Sequence, residues 1–160
     1  IFDALKTFHG VQRRFQIISK DSDFTVVDDY AHHPTEIKAT LETARACCMG
    51  KIYAIFQPHR YTRTKILANE FGEAFSLADE VIVTQIYSAG EQPIPGVTSQ
   101  LICDAIKKNG KNVTYIDKQE DIPSYLLKKL MPGDFVITIG AGDINKTAYK
   151  LAQVLKNNAF

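Results

Sequence analysis

Two short stretches gather most of the side chains that could do chemistry. The run VVDDYAHHPTEI, residues 26–37, sets Asp28, Asp29, Tyr30, His32 and His33 at the end of a β-branched segment, just before Pro34. Asp28, Asp29, His32 and His33 could supply hard oxygen and imidazole ligands, as in a metal-dependent phosphoesterase. Neighbours in an extended segment point to opposite faces, so at most about half of them could converge. A carboxylate at a strand end, here Asp29, could instead accept hydrogen bonds from ribose hydroxyls. The third reading is structural: Pro34 takes the first helical position, His33 is the N-cap, and Glu36 reaches back to it. All three stay open on spacing alone.

The second stretch, FQPHRYTRT, residues 56–64, places His59, Arg60 and Arg63 around a helix start. Guanidinium forks suit carboxylate and phosphate, and a helix amino end already attracts anions. Cations there oppose the helix dipole, which strains a purely structural account. The alternative is that one arginine pairs with Glu70, Glu73 or a carboxylate of the first stretch. Three weaker signals accompany these. GVQRRF, residues 10–15, alternates Arg13 and Arg14, so that one could reach a loop end while the other meets solvent. GEQPIPGV, residues 90–97, is a loop stiffened by proline and glycine. TIGAGDI, residues 138–144, holds G-x-G but has Asn145 where a third glycine would stand, and no strand follows it. No G-x-x-x-x-G-K-[ST] cradle for nucleotide phosphates occurs in the chain.

Five apolar runs, 24–27, 52–56, 81–84, 113–116 and 135–139, are nearly continuous in hydrophobicity, as strands covered on both faces are. Helical spacing links Ile37, Leu41, Ala44 and Cys48, then Leu67, Phe71, Ala74, Phe75 and Ala78, then Leu101, Ile102, Ala105 and Ile106. Two further stripes are Ile122, Leu126, Leu130 and Ala148, Leu151, Ala152, Leu155. Asp117 with Glu120 predicts a capping box, Asp143 an N-cap, and Gly50 and Gly110 helix ends. Residues 14–28 read as a hairpin turning at 20–23. The repeated alternation predicts one α/β domain over residues 1–160, with a mostly parallel sheet and an N-terminal β-hairpin. Ligands bind at the carboxyl ends of such strands. The loops to watch are therefore 28–34, 57–64, 85–97 and 140–143.

Composition narrows the classes. With 45% hydrophobic and 23% charged residues and a net charge of +1, the near-neutral balance argues against broad nucleic-acid binding, which needs a basic face. Lys107, Lys108 and Lys111 read as a solvated helix end. No apolar run approaches the roughly 18 residues of a membrane span. Cys47, Cys48 and Cys103 make an odd count without C-x-x-C spacing, which points to a reducing cytoplasm rather than a disulfide framework or zinc site. Because the chain starts at Ile1 in what reads as mid-fold sequence, a piece of a longer protein is expected.

In this order and at these intervals RRF, VVDDYAHHPTEI, FQPHRYTRT, GEQPIPGV and GAGDI resemble the C-terminal domain of the Mur ligases. Within that family they resemble the member that joins L-alanine to UDP-N-acetylmuramate. The resemblance implies a Rossmann-like, three-layer domain with helices on both faces of the sheet. It implies that a UDP-sugar-binding domain and a central ATPase domain lie outside this chain, which alone would be inactive. The implied reaction phosphorylates a carboxylate with ATP, and the amine of L-alanine then displaces phosphate. Mg2+ would be held mainly by the central domain. Carried over by position, Arg14 would face ATP phosphate, Asp29 its ribose, and Tyr30 the cleft beside the nucleotide. His32, His59, Arg60 and Arg63 would line the amino-acid side, with no metal ligand and no catalytic residue in this domain. Asp28 would be structural. A stand-alone metal-dependent phosphoesterase and a non-enzymatic nucleotide-binding module are the competing readings.

Overall fold

Strands and helices alternate where the apolar runs and punctuation put them. The structure, a computed structural model, describes residues 12–21 and 23–157. Gly10 and Val11 of the first arginine run, and Ser22 in the hairpin turn, lie outside these. Strand β1 (Gln16–Lys20) pairs antiparallel with β2 (Phe24–Asp29). Then follow helix α1 (Pro34–Cys47), β3 (Ile52–Phe56), α2 (Tyr61–Ala74), β4 (Glu80–Val83), α3 (Gln100–Lys108) and β5 (Val113–Tyr115). A 3-10 turn (Gln119–Asp121) leads into the short α4 (Ile122–Leu126), β6 (Asp134–Ile139) and α5 (Asn145–Asn157). The sheet runs β1-β2-β6-β3-β4-β5, parallel throughout except for the hairpin edge.

Two apolar clusters sandwich this sheet. On one face Val27, Ala54, Phe56 and Val83 meet Ile37 and Leu41 of α1, Phe71 of α2, Phe75 just beyond it, and Ile102 and Ile106 of α3. On the other Val26, Tyr53, Ile55 and Ile82 meet Ile122 and Leu126 of α4 and Ala148, Leu151 and Leu155 of α5. Each such large side chain withdrawn from water contributes roughly 1.5–3 kcal/mol. The three-layer α/β expectation therefore holds.

Register matters most for function. Asp29 lies opposite Ile139, and Ile139 and Val83 both lie opposite Phe56. The four central strands thus end level, and Tyr30, Gly140, Gln57 and Thr84 begin their loops side by side. From there β2, β3 and β4 feed helices on one face while β6 feeds α5 on the other. Such a divergence opens a crevice above the strand ends.

Several local expectations give way to tertiary contacts. Asp117 does not cap the following turn; its carboxylate takes Gln85 Nε2 at 2.9 Å and the Tyr115 hydroxyl at 2.7 Å. Asp143 sends its carboxylate to Gln57 and Gln119, each at 2.9 Å, rather than acting as a simple helix cap. Helix α1 closes at Cys48, not Gly50. Gly50 instead lets the chain pass Gly133, where a Cβ would stand 2.4 Å from its carbonyl oxygen. The stripe through Leu130 is helical only to Leu126; beyond it the chain continues as hydrogen-bonded turns, with Lys129 N and Leu130 N both donating to the Leu126 carbonyl. Leu101, expected in the core, is exposed, since α3 turns Ile102, Cys103, Ala105 and Ile106 inward.

Candidate active-site rim at the strand ends

The first loop is held open by its own acids. Arg13 donates from Nε to Asp28 Oδ2 at 2.9 Å, and its two terminal nitrogens donate to the carbonyls of Gly140 and Gly142. Asp28 is fully buried and also accepts from Thr138 Oγ1 at 2.6 Å. Asp29 is 6% exposed and accepts from the main-chain N–H groups of Phe15 and Ala31, at 2.8 and 2.7 Å. So Asp28 is structural, as expected, and Asp29 braces the turn from both sides. His33 and Glu36 form the reciprocal capping box of α1. Burial works to raise the Glu36 pKa, yet the His32 N–H and charge, the His33 N–H and the Arg14 charge together hold it below its ordinary value. With Asp28 bound to Arg13 and His33 turned to the helix, the four candidate ligands do not converge. Among the described residues no three His, Cys, Asp or Glu side chains do. The phosphoesterase reading fails on that geometry.

What the loop presents outward is a file of rings and cations. Arg14 Cζ lies 6.0 Å from the centre of the Tyr30 ring, and Arg13 Cζ lies 5.0 Å from it. Tyr30 meets His32 edge-on at 5.5 Å, His32 approaches His59 at 5.7 Å, and His59 stacks on Tyr87 at 5.7 Å and 15°. Arg63 Nη1 lies 3.1 Å from His59 Nδ1. A guanidinium can only donate, so Nδ1 accepts and the neutral His59 carries its proton on Nε2. Burial, then the charges of Arg63, His32 and Arg60, press the His59 pKa below its ordinary value and keep it neutral. His32 Nδ1, 3.1 Å from the Tyr30 carbonyl, must donate there, which leaves Nε2 an acceptor in the neutral ring.

The second loop is bolted down at its centre. His59 and Tyr87 form a parallel bridge, with Tyr87 N donating to Pro58 O and Arg60 N to Tyr87 O, both at 2.8 Å. Arg60 then turns the chain into α2 at φ 73° and ψ 142°, a conformation nearly confined to glycine. Such strain costs roughly 1–3 kcal/mol and persists only where the surroundings impose it. The anion at the amino end of α2 is supplied by the protein: Glu91 accepts from Thr62 N at 3.0 Å and Thr62 Oγ1 at 2.6 Å. Those bonds, with lesser help from Tyr61 N–H and the Arg60 charge, lower its pKa. The arginines do not take the alternative role: Glu73 pairs with Lys38 instead. Among the described residues no carboxylate lies within ion-pair distance of Arg14, Arg60 or Arg63. Arg14 and Arg60 are exposed and Arg63 is half-buried, so all three guanidinium groups stay open to solvent beside the strand-end crevice.

Residues 13–142 match the sequence profile of the Mur ligase, glutamate ligase domain. The chain belongs to that family. It is 48% identical over 160 residues to the UDP-N-acetylmuramate–L-alanine ligase of Syntrophomonas wolfei, covering 100% of this chain and 34% of that protein. Against the ligase of the same name from Desulforamulus reducens it is 53% identical over 142 residues, 88% of this chain and 31% of that protein. The crystal structure of UDP-N-acetylmuramate-alanine ligase from Thermotoga maritima superposes with a TM-score of 0.78 at 33% identity, over 97% of this chain and 32% of that one. This Mur ligase domain thus spans about a third of the length of the curated relatives it matches.

In this Mur ligase domain the rim joins His32, Tyr30, His59 and Arg63 directly, with Arg14 over Tyr30 and Arg60 one residue beyond His59. Sequence reasoning missed Tyr87, Gln57 and Glu91. Gln57 is buried and clamps Asp143 and the Ile144 N–H, tying the β3 loop to the start of α5. Its signal was present, since a polar residue directly after an all-buried strand needs partners. Tyr87 and Glu91 carried no local signal, because their partners are 28 and 29 positions away.

Proposed function

We propose that this domain is one wall of the active site of an ATP-dependent ligase that joins L-alanine to UDP-N-acetylmuramate in peptidoglycan synthesis. The observation that carries the reading is the continuous rim from Arg14 through Tyr30, His32 and His59 to Arg63, with arginines lacking carboxylate partners among the described residues. The names of the relatives support the substrates; the rim supports the division of labour. The UDP-sugar-binding and ATPase domains belong to the rest of the protein, which works in the cytoplasm.

Amide formation from a free carboxylate is uphill, so ATP first converts the muramoyl carboxylate to an acyl phosphate. The alanine amine then attacks the carbonyl, a tetrahedral intermediate collapses, and phosphate leaves. In this scheme Arg60 and Arg63 hold the alanine carboxylate, assisted by the Nε2–H of His59. His32, beside His59, faces the amine and orients the nucleophile. Arg14 meets ATP phosphate and Tyr30 lines the nucleotide side. Asp29 has one lone pair on each oxygen beyond its main-chain bonds for the ribose, and mainly sets the loop. Mg2+ would be held mainly by the central domain: Asp28 is taken by Arg13 and Thr138, and among the described residues no three carboxylate, imidazole or thiol side chains gather to hold a cation; no step of this domain runs through it.

The test is phosphate release from ATP in the presence of UDP-N-acetylmuramate and L-alanine, for the whole protein and for this domain alone. Turnover is expected only from the whole protein, and Arg63→Ala should raise the KM for L-alanine at least about tenfold. Turnover by the domain alone, or a whole protein indifferent to L-alanine, would reject the reading.

A further inference from the structure

Behind the rim lies a second space. A cleft of about 610 Å³ opens between the ends of β3, β4 and β5 and the start of α5, with Gln57, Tyr87, Gln119 and Asp143 on its walls. His59 is not among its lining residues. Tyr87 belongs to both: it lines the cleft, and its ring, 39% exposed, stacks on His59 at 5.7 Å. Its position is imposed from three directions. The bridge to Pro58 and Arg60 fixes its main chain. His59 covers one side of the ring, and Gly142 presses on another. A Cβ added at Gly142 would come within 2.6 Å of Tyr87 Cγ and 2.4 Å of Gln57 Oε1, so the β6 turn has no room for a side chain there.

We propose that Tyr87 is the partition that limits the side chain of the incoming amino acid to something as small as a methyl group. The inference rests on the ligase reading above and deepens it. An amino acid whose carboxylate sits on Arg60 and Arg63 beside His59 has its α-carbon next to this ring. With the ring present, the space for a side chain ends there. Without it, the rim opens into the cleft. The charged groups lining that cleft balance, Lys118, Lys146 and Lys150 against Asp117, Glu120 and Asp143, and the other walls are rich in amides. It therefore suits an uncharged polar side chain, such as that of L-glutamine.

The experiment compares kcat/KM for L-glutamine and L-alanine in the whole protein carrying Tyr87→Ala, Tyr87→Leu or Tyr87→Phe, after thermal melts confirm folding. The glutamine-to-alanine ratio should rise by about tenfold or more in Tyr87→Ala, less in Tyr87→Leu, and not at all in Tyr87→Phe. If Tyr87→Ala does not fold, a rise in Tyr87→Leu supports the partition in its place. A variant that loses both amino acids in proportion, leaving the ratio unchanged, would make Tyr87 a mere loop support and overturn the proposal. Failure of the unsubstituted protein to use L-alanine would instead sink the ligase reading, so the two are told apart.

Discussion

The guanidinium of Arg13 closes on the carboxylate of Asp28 at 2.9 Å, and the Asp28 side chain is 1% exposed while that of Arg13 is 20% exposed. From that buried pair the same guanidinium spans to the carbonyls of Gly140 and Gly142. One side chain thereby ties the loops leaving β2 and β6 together beneath the rim.

Removing Arg13 strands a buried carboxylate with Thr138 as its remaining described partner. Losses of this kind are about 3–5 kcal/mol, and the partial exposure of Arg13 points to the lower end. Urea unfolding of Arg13→Ala should show a drop of about 3 kcal/mol, with Asp28→Asn losing less because no charge stays buried. A change under about 1 kcal/mol in Arg13→Ala would refute the brace.

At Arg60 binding and stability should part company. Glycine there relieves the strain at φ 73°, roughly 1–3 kcal/mol, against about 1 kcal/mol of added chain entropy. Arg60→Gly should thus melt at or above the parent temperature, and Arg60→Ala below it. Both should bind L-alanine more weakly. Equal melting of the two variants would show the backbone unstrained.

The neutral state of His59 sets a direction for pH. Its folded pKa lies below the ordinary 6.5, so between the two values the unfolded chain holds more protons and stability rises with pH. As pH falls from 6.5 through the folded pKa, that contribution is lost. NMR titration should give a His59 midpoint below 6.5, and Arg63→Ala should move it upward. A midpoint at or above 6.5 in the parent protein would contradict the lowering by burial and the Arg63 charge.

Glu91 pins the loop before α3 to the first turn of α2. Glu91→Ala should speed amide hydrogen exchange at Thr62 while leaving the β6 strand protected. Because the bonds run to main chain and hydroxyl alike, Glu91→Gln should restore part of the protection. Unchanged exchange at Thr62 in Glu91→Ala would remove the clamp.

Much of this was legible along the chain because its causes are local. Continuous apolar runs mark strands buried on both faces, and Pro34 with His33 and Glu36 marks a helix start, since proline, cap and reciprocal carboxylate act within four residues. The chemical types at 28–33 and 59–63 were equally plain. The capping roles expected of Asp117 and Asp143 failed for the opposite reason. Tyr115, Gln85, Gln57 and Gln119 offered them better hydrogen bonds once the strands had brought those side chains near.

Residue types and their order settle which elements form and which loops carry guanidinium and imidazole groups, because turns, caps and apolar periodicity act over a few positions. Only the folded sheet decides that four strands end level, that Arg13 rather than Arg14 turns inward, that Glu91 meets the start of α2, and that Tyr87 touches both rim and cleft. Those outcomes depend on groups tens of residues apart competing for the same space and the same lone pairs, and that competition exists only after the layers have packed.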